Sequence, residues 1–513
     1  MKSIAFTFIS RILIVIIYIV LSGCTKESVE KIEKDISGQT EQKGPEITIL
    51  NKPSIIEVIT DLNIKITDDN NITTTIFVDG VEVISTTEKE FKLTIDPFDY
   101  KIGMASVSII SINELKKESN TDLSIEIKRL LFSDKSFFYK KNDTQGQRFI
   151  SVHTGSGNLI ELQKIDDSQD GNFYATEDFE KQNLIVTRYE IPGQFNSLSG
   201  VLSYTDVAIG TVVSSDQTPV YPDFFPKNGQ LSLETENLTD LVAENYNSSL
   251  ISDNPNNLAS YRLIYSQDYN EKFFISTSSD IMNPIENYKY FVINSLTKTM
   301  YSNQDLKSPL RISTIDIPVD SDFRLNLYGF DDENAFSDQR FNEVYVSRVS
   351  TYGKVEIPII EEFDVYQARL AYSYDRTDVL VNHKDIDSPI EPLKVDMIQN
   401  ERNIEFIDTY DFLSFGFTNI NQPNSVVWGF ISKYKKEMTI PFYTFEIPQE
   451  IAFLLNANSL SLDISKASSQ TSFLNCTLYK GHDHVYNSEQ LIVEPNVSAN
   501  RDGFVFKRTL DIL

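Results

Sequence analysis

Residues 73–86 read TTTIFVDGVEVIST. Apolar and polar side chains alternate on both sides of Asp79-Gly80, and most of the residues are β-branched. A period of two sends one set of side chains into a core and the other into water. Asp-Gly is the turn chemistry of a two-residue hairpin, whose central positions both need positive φ. The stretch therefore predicts two antiparallel strands and a tight turn. Its neighbours repeat the pattern: LNIKITDD from Leu62, FKLTIDPF from Phe91, MASVSIISI from Met104 and DLSIEIKRL from Asp122. About seven short strands in about 85 residues point to a β-sandwich.

Residues 45–128 on this basis resemble a bacterial immunoglobulin-like domain, without the Cys–Trp–Cys core of antibody domains. The resemblance implies a spacer. Alternation continues over 129–235, where RFISVH, TGSGN and LIELQKI predict a hairpin with Gly155 and Gly157 in its turn. Residues 236–257 interrupt it. Leu238, Leu241 and Val242 there predict a short helix, followed by an Asn/Ser/Pro-rich linker. Strand patterns such as FRLNLYGF, YQARLAYSY and SVVWGFISKY fill 258–513, which is expected to hold one or two modules. A theme ending in proline recurs as YEIP from Tyr189, IDIP from Ile315, VEIP from Val355 and FEIP from Phe445. Proline suits a strand edge or end, and the uneven spacing excludes a regular solenoid or propeller. The expected fold is mainly all-β: tandem β-sandwich modules, the first immunoglobulin-like, with little helix outside the N-terminal segment.

The chain has 513 residues, 41% of them hydrophobic and 12% aromatic, enough for two to four folded domains. Its formal net charge of −28 repels phosphate backbones and speaks against nucleic-acid binding. The two cysteines are Cys24 and Cys476. Cys476 lies in the strand-like SFLNCTLY and reads as a buried, inert thiol.

The N-terminus reads MKSIAFTFISRILIVIIYIVLSGC. Lys2 and Arg11 precede an apolar run, Ile12–Leu21, too short to span a bilayer of about 30 Å at 1.5 Å per residue. It reads as an export signal over residues 1–23. Leu21-Ser22-Gly23-Cys24 resembles the lipobox of bacterial lipoproteins. That resemblance implies a diacylglycerol on the Cys24 thiol and a mature chain that begins there. Residues 24–44 are charged, lack an apolar stripe, and read as a flexible tether. Lys26-Glu27 loosely resembles the charged signal that sends Bacteroidota lipoproteins to the cell surface. The layout of lipid cysteine, immunoglobulin-like spacer and β-rich remainder is similar to surface lipoproteins of that phylum. It implies an outer-membrane location, with surface display expected.

Several stretches carry candidate chemistry. DDSQDGNFYATE places Asp166, Ser168, Asp170 and Glu177 at positions 1, 3, 5 and 12 of a calcium-type loop, with Gly171 at position 6. The flanks read as strands rather than helices, which favours a polar inter-strand loop over a calcium site. His482 and His484 have a spacing used by zinc sites, but a third ligand is wanting and the stretch reads as a hairpin tip. TGSG, 154–157, is a turn and not a nucleophile elbow. The pairs Glu361-Glu362 and Asp331-Asp332 read as solvated surface. Trp428 reads as core, sharing a strand face with Val426 and Phe430.

No catalytic constellation is recognised. The expected function is non-catalytic binding or adhesion at the cell envelope, with a glycan or protein ligand. The alternatives are a glycan-processing hydrolase whose carboxylates carry no motif, and a structural envelope component. Of the metals these motifs raise, calcium is the candidate cofactor, and none is established by the sequence.

Overall fold

The structure is a computed structural model. It describes residues 43–135, 146–165, 171–191, 198–213, 227–236, 238, 241–252, 260–268, 272–277, 285–317, 323–338, 340–349, 353–374, 377–384, 386–387, 397–421, 424–456, 472–480, 484–487, 492–495 and 503–511. The chain is all-β and divides into two compact units. Of the described residues, the first holds 43–54 together with Thr60–Ile95 and Met104–Glu126. The second holds Ile55–Ile59, Asp96–Gly103 and Ile127–Leu513.

The first unit is an immunoglobulin-like sandwich. One sheet pairs Glu46–Ile49, Thr60–Thr67 and Glu90–Ile95. The other is built around Ile72–Val78, which lies between Val81–Thr86 and Gly103–Asn113. Leu62, Ile64 and Ile66 of the first sheet are buried, as are Ile76, Val78, Val107 and Ile109 of the second. Alternation thus supplies one apolar face per sheet, and burying it drives the sandwich together. Asp79 and Gly80 sit at φ 51° and 79°, the two left-handed positions of the predicted hairpin turn.

The second unit is dominated by a twelve-stranded sheet. In spatial order its strands are Leu159–Lys164, Gln147–Thr154, Leu184–Ile191, Leu198–Val207, Asn424–Lys433, Phe412–Asn421, Ser472–Lys480, Gly503–Leu510, Thr377–His383, Val365–Tyr374, Phe323–Phe330 and Asn342–Val349. All neighbours are antiparallel except Leu198–Val207 and Asn424–Lys433, which run parallel. The sheet therefore crosses the expected boundary at 236–257. Strands from 147–207 pair with strands beyond 400, and Thr205 Oγ1 donates to Ile431 O over 226 positions of chain. Alternation predicts each strand but not its partner, so modules drawn in sequence order miss this pairing.

One face of the sheet meets a large core that includes Tyr189, Leu325, Leu370, Phe415, Trp428, Cys476 and, from the covering segments, Ile357, Phe406, Phe442 and Phe445. Near the other end, the opposite face meets a second core of Ile150, Val152, Val186 and Tyr204 with Leu131, Phe132 and Phe173. Leu184–Ile191 is buried on both faces at its start, which is why LIVTRYEI opens with three apolar residues in a row instead of alternating.

Residues 229–302 add a small sandwich. Its sheets are Ser248–Ser252, Ser260–Tyr265, Gly229–Glu236, Met300–Ser302 and, opposite, Leu241–Val242, Phe273–Thr277, Tyr290–Ile293. The predicted helix at Leu238–Val242 is corrected: Leu241–Val242 is a strand paired with Phe273–Thr277. Leu241 is buried and Val242 exposed, a period of two imposed by the sandwich. The expected linker beyond it contains the strand Ser248–Ser252.

YEIP and IDIP bring strands to their ends at Ile191 and Ile317, and VEIP lies in a strand with one partner. FEIP departs from the theme. Its Pro448 precedes the helix Gln449–Asn456. No helix among the described residues is long and apolar enough to cross a membrane.

Candidate functional site

Cys24, Asp166, Ser168 and Asp170 lie outside the described residues, as do His482 and Asp483. Glu177 is described, and its Oε1 accepts from Ile102 N at 2.7 Å. Its Oε2 lies 3.9 Å from the guanidinium of buried Arg129, which donates to the carbonyls of Pro97, Tyr100 and Glu177 itself. Gly171–Tyr174 is a strand paired with Leu130–Asp134, so the second half of the calcium-like motif is sheet. Among the described residues no three His, Cys, Asp or Glu side chains converge as a metal site.

Cys476 is buried, and burial pushes its thiol up, out of the reactive range. Trp428 is buried, with Nε1 donating to Ser203 Oγ at 3.1 Å. The reading of Glu361-Glu362 as solvated surface is corrected in half. Glu361 is exposed, but Glu362 has a side chain only 14% exposed and accepts from Lys307 Nζ at 2.5 Å. Asp332 caps the short helix Glu333–Ser337 by accepting from Ala335 N at 2.7 Å, and Asp331 lies 2.8 Å from Lys272 Nζ.

Two polar clusters were not legible in the sequence. The first is a buried chain. His153 Nε2 meets Ser151 Oγ at 2.7 Å, and Ser151 Oγ meets Tyr189 OH at 3.0 Å. Ser151, Thr187 and Ser203 are cross-strand neighbours in register, and Thr187 Oγ1 lies 2.7 Å from Ser203 Oγ. A Ser–His pair suggests nucleophile chemistry. Here both residues are fully buried, with the His153 ring 4.1 Å from that of Phe445, so no substrate reaches them. Burial pushes His153 down to about 4, and the backbone of Gly157 opposes this weakly. Nδ1 finds no hydrogen-bond partner of acceptable geometry.

The second cluster occupies the other face of the large sheet, on Phe323–Phe330, Asn342–Val349, Val365–Tyr374 and Thr377–His383. Leu325, Leu327, Ala368, Leu370, Val379 and Val381 face the core. The residues between them, Arg324, Asn326, Tyr328, Gln367, Arg369 and Asn382, turn the other way. Register places Asn326 beside Arg369, Tyr328 beside Gln367, and Arg369 beside Asn382. Arg324 Nε donates to Asn326 Oδ1 at 2.9 Å, and Asn326 Nδ2 donates to Glu343 Oε2 at 2.9 Å. Arg369 Nε donates to Asn382 Oδ1 at 3.1 Å, with its guanidinium 5.3 Å from the centre of the Tyr328 ring. Burial raises the Glu343 carboxyl, opposed by the Asn326 hydrogen bond and the charge of Arg324.

The exposure of this face is graded. Arg324 is exposed, Arg369 and Tyr328 are half-buried, and Asn326, Gln367 and Asn382 are buried. The result is an amide floor with a cationic rim. Asn382 Nδ2 is buried without a partner. The sequence signal was the alternation in FRLNLYGF and YQARLAYSY, of whose polar positions Asn326 and Gln367 are buried rather than solvated.

No family model matches the chain, and no curated protein matches it. Solved structures of sandwich modules are similar to it. The fibronectin(III)-like modules of CbhA from Clostridium thermocellum share 10% identity, covering 34% of this chain and 97% of that one, with TM-score 0.16. The SGBP-B protein of the Bacteroides ovatus mixed-linkage glucan utilization locus, solved with a mixed-linkage heptasaccharide, shares 10% identity over 63% of this chain and 93% of its own, with TM-score 0.15. A run of titin domains shares 7% identity over 64% and 93%, with TM-score 0.15. Scores this low align no site residues. The strand pairing itself defines the class: an all-β protein of tandem β-sandwich modules, the first immunoglobulin-like.

Proposed function

We propose that the chain is a non-catalytic binding or adhesion protein of the bacterial cell envelope. Lipid on Cys24 holds it to the outer membrane, the immunoglobulin-like module acts as a spacer, and the amide-floored face of the large sheet receives the ligand. One observation supports this best. Asn326, Gln367 and Asn382 are buried on a sheet face where apolar side chains would avoid the cost of desolvating an amide. Asn326 and Asn382 hold Arg324, Glu343 and Arg369, which stand less buried than the amides themselves, so a ligand meeting this face gains directional donors and acceptors.

An array of glycans and proteins probed with the mature chain tests the reading. Signals should fall about tenfold or more with Asn326→Leu or Gln367→Leu, the loss expected for about one or two buried hydrogen bonds. Silence across the array with the native fold verified, or signals indifferent to both substitutions, sinks it. For the anchor, Cys24→Ser should move the protein from the membrane to the soluble fraction. Protease added to intact cells should shave a surface-displayed protein and spare a periplasmic one.

A further inference from the structure

The chain visits the second unit twice before it stays there. Ile55–Ile59 and Asp96–Gly103 belong to the second unit, whereas Thr60–Ile95 and Met104–Glu126 belong to the first. Most of the immunoglobulin-like module is therefore two loops, each closed at both ends by chain of the second unit. Tension on a chain passes to the first fixed point it meets, and a loop beyond that point feels none. What the module experiences when the N-terminus is pulled depends on how the two excursions are held.

Both are held by partners that themselves lie in the second unit. For the first, Lys128 N donates to Ile56 O at 2.9 Å and Leu130 N to Glu57 O at 3.0 Å. The partners ascend together, so the two segments run parallel. Tension pulls Ile56 towards the N-terminus and Leu130 towards the C-terminus, and these bonds resist together rather than one at a time. Tyr174 OH adds a hydrogen bond to Glu57 Oε1 at 2.8 Å. The second excursion is gathered by buried Arg129, which donates to Pro97 O at 3.2 Å and Tyr100 O at 2.8 Å, and across to Glu177 O at 3.0 Å. Its guanidinium lies 5.3 Å from the centre of the Phe98 ring. Ile102 N donates to Glu177 Oε1 at 2.7 Å, and Lys181 pairs with Asp96. Hydrogen bonds with an ionised partner are the strong ones.

Resting on the anchored binding function proposed above, we infer that tension between the lipid anchor and a bound ligand runs through a clamp at Ile55–Ile59, which shields residues 60–126 of the immunoglobulin-like module. Only Glu46–Ile49, paired with Thr60–Thr67, precedes the clamp. The Arg129 clamp stands second in line. When the first yields, the chain runs out as far as Ile95 and is caught at Asp96–Gly103. When the second yields, Met104–Glu126 follows. The module is thus a spacer with length in reserve, released in two stages.

The test stretches the mature, unlipidated chain in magnetic tweezers. One handle is on Cys24 and the other on the thiol introduced by Glu190→Cys, an exposed position of the second unit, while buried Cys476 takes no handle. After the short release of Glu46–Ile49, two steps should follow in order, about 140 Å for residues 55–95 and about 100 Å for residues 96–126, at roughly 3.4 Å per residue. Tyr174→Phe should shorten the lifetime before the first step about tenfold at constant force and leave both lengths unchanged. Arg129→Met should merge the two steps into one of about 240 Å. A single step in the wild type, or a first-step lifetime indifferent to Tyr174→Phe, overturns the inference. Both of these readouts stand if Arg129→Met fails to fold. Binding on the array involves no tension, so such a failure leaves the binding reading intact, and a silent array leaves the two steps to be measured.

Discussion

His153 gives this fold a calculable sensitivity to acid. In the folded chain the buried imidazole meets Ser151 Oγ and lies against the Phe445 ring, and burial pushes it from an ordinary 6.5 to about 4. The unfolded chain binds its proton near 6.5, so between these values the unfolded state holds more protons and stability falls as pH falls. Above pH 6.5 the contribution is fully present. The loss is about 2 kcal/mol at pH 5 and about 3 kcal/mol at pH 4, from 1.36 kcal/mol per pKa unit and the partial protonation of both states. Carboxylates elsewhere also titrate here, so the measurement is a difference. Wild type and His153→Gln are melted in a calorimeter from pH 7.5 to 4.5. Glutamine still reaches Ser151 but carries no titratable proton. The variant should be the less stable at pH 7.5 and should close the gap by about 2 kcal/mol near pH 5. A constant gap across the range would show that His153 is protonated in the folded chain or open to water, and the buried-relay geometry would then be wrong.

Asp134 and Arg188 form a buried pair at 2.6 Å, where burial opposes the arginine's charge but Asp134 and Tyr204 hold it up. Asp134→Asn should cost about 3–5 kcal/mol in urea unfolding, whereas Asp134→Leu with Arg188→Met should recover most of that. Gly157→Ala should lower the melting temperature by the equivalent of about 1–3 kcal/mol. The glycine sits at φ +96°, and an added Cβ would stand 2.6 Å from Thr444 O, disturbing the contact in which Glu446 N donates to Gly157 O. Calcium should shift the melting of neither the wild type nor Asp166→Ala plus Asp170→Ala, because strands flank that loop. A shift confined to the wild type would establish a calcium site.

The amide-floored face shows where local reading ends. FRLNLYGF and YQARLAYSY declare their alternation openly, since side-chain direction along a strand is a property of the backbone alone. Which face is covered, and which residue stands across the ladder, depends on partners elsewhere in the chain. Asn326 stands across from Arg369 and Arg369 from Asn382 only once register is set. Glu362 misled for the same reason: one carboxylate of an adjacent acidic pair reads as solvent-facing until Lys307 and Tyr290 meet it.

The sequence by itself determined the strand class, the Asp79-Gly80 hairpin and the acidic surface, because strand periodicity, turn stereochemistry and charge are local. It also predicted a strand at SVVWGFISKY and a core tryptophan within it, since the apolar neighbours of Trp428 lie two residues away on either side. Tertiary structure decided what those strands build. The parallel pairing of Leu198–Val207 with Asn424–Lys433, the strand at Leu241–Val242 in place of a helix, and the sealed His153 all follow from surfaces that meet across long stretches of chain. Burial and register are energies of association between segments, and no single segment contains them.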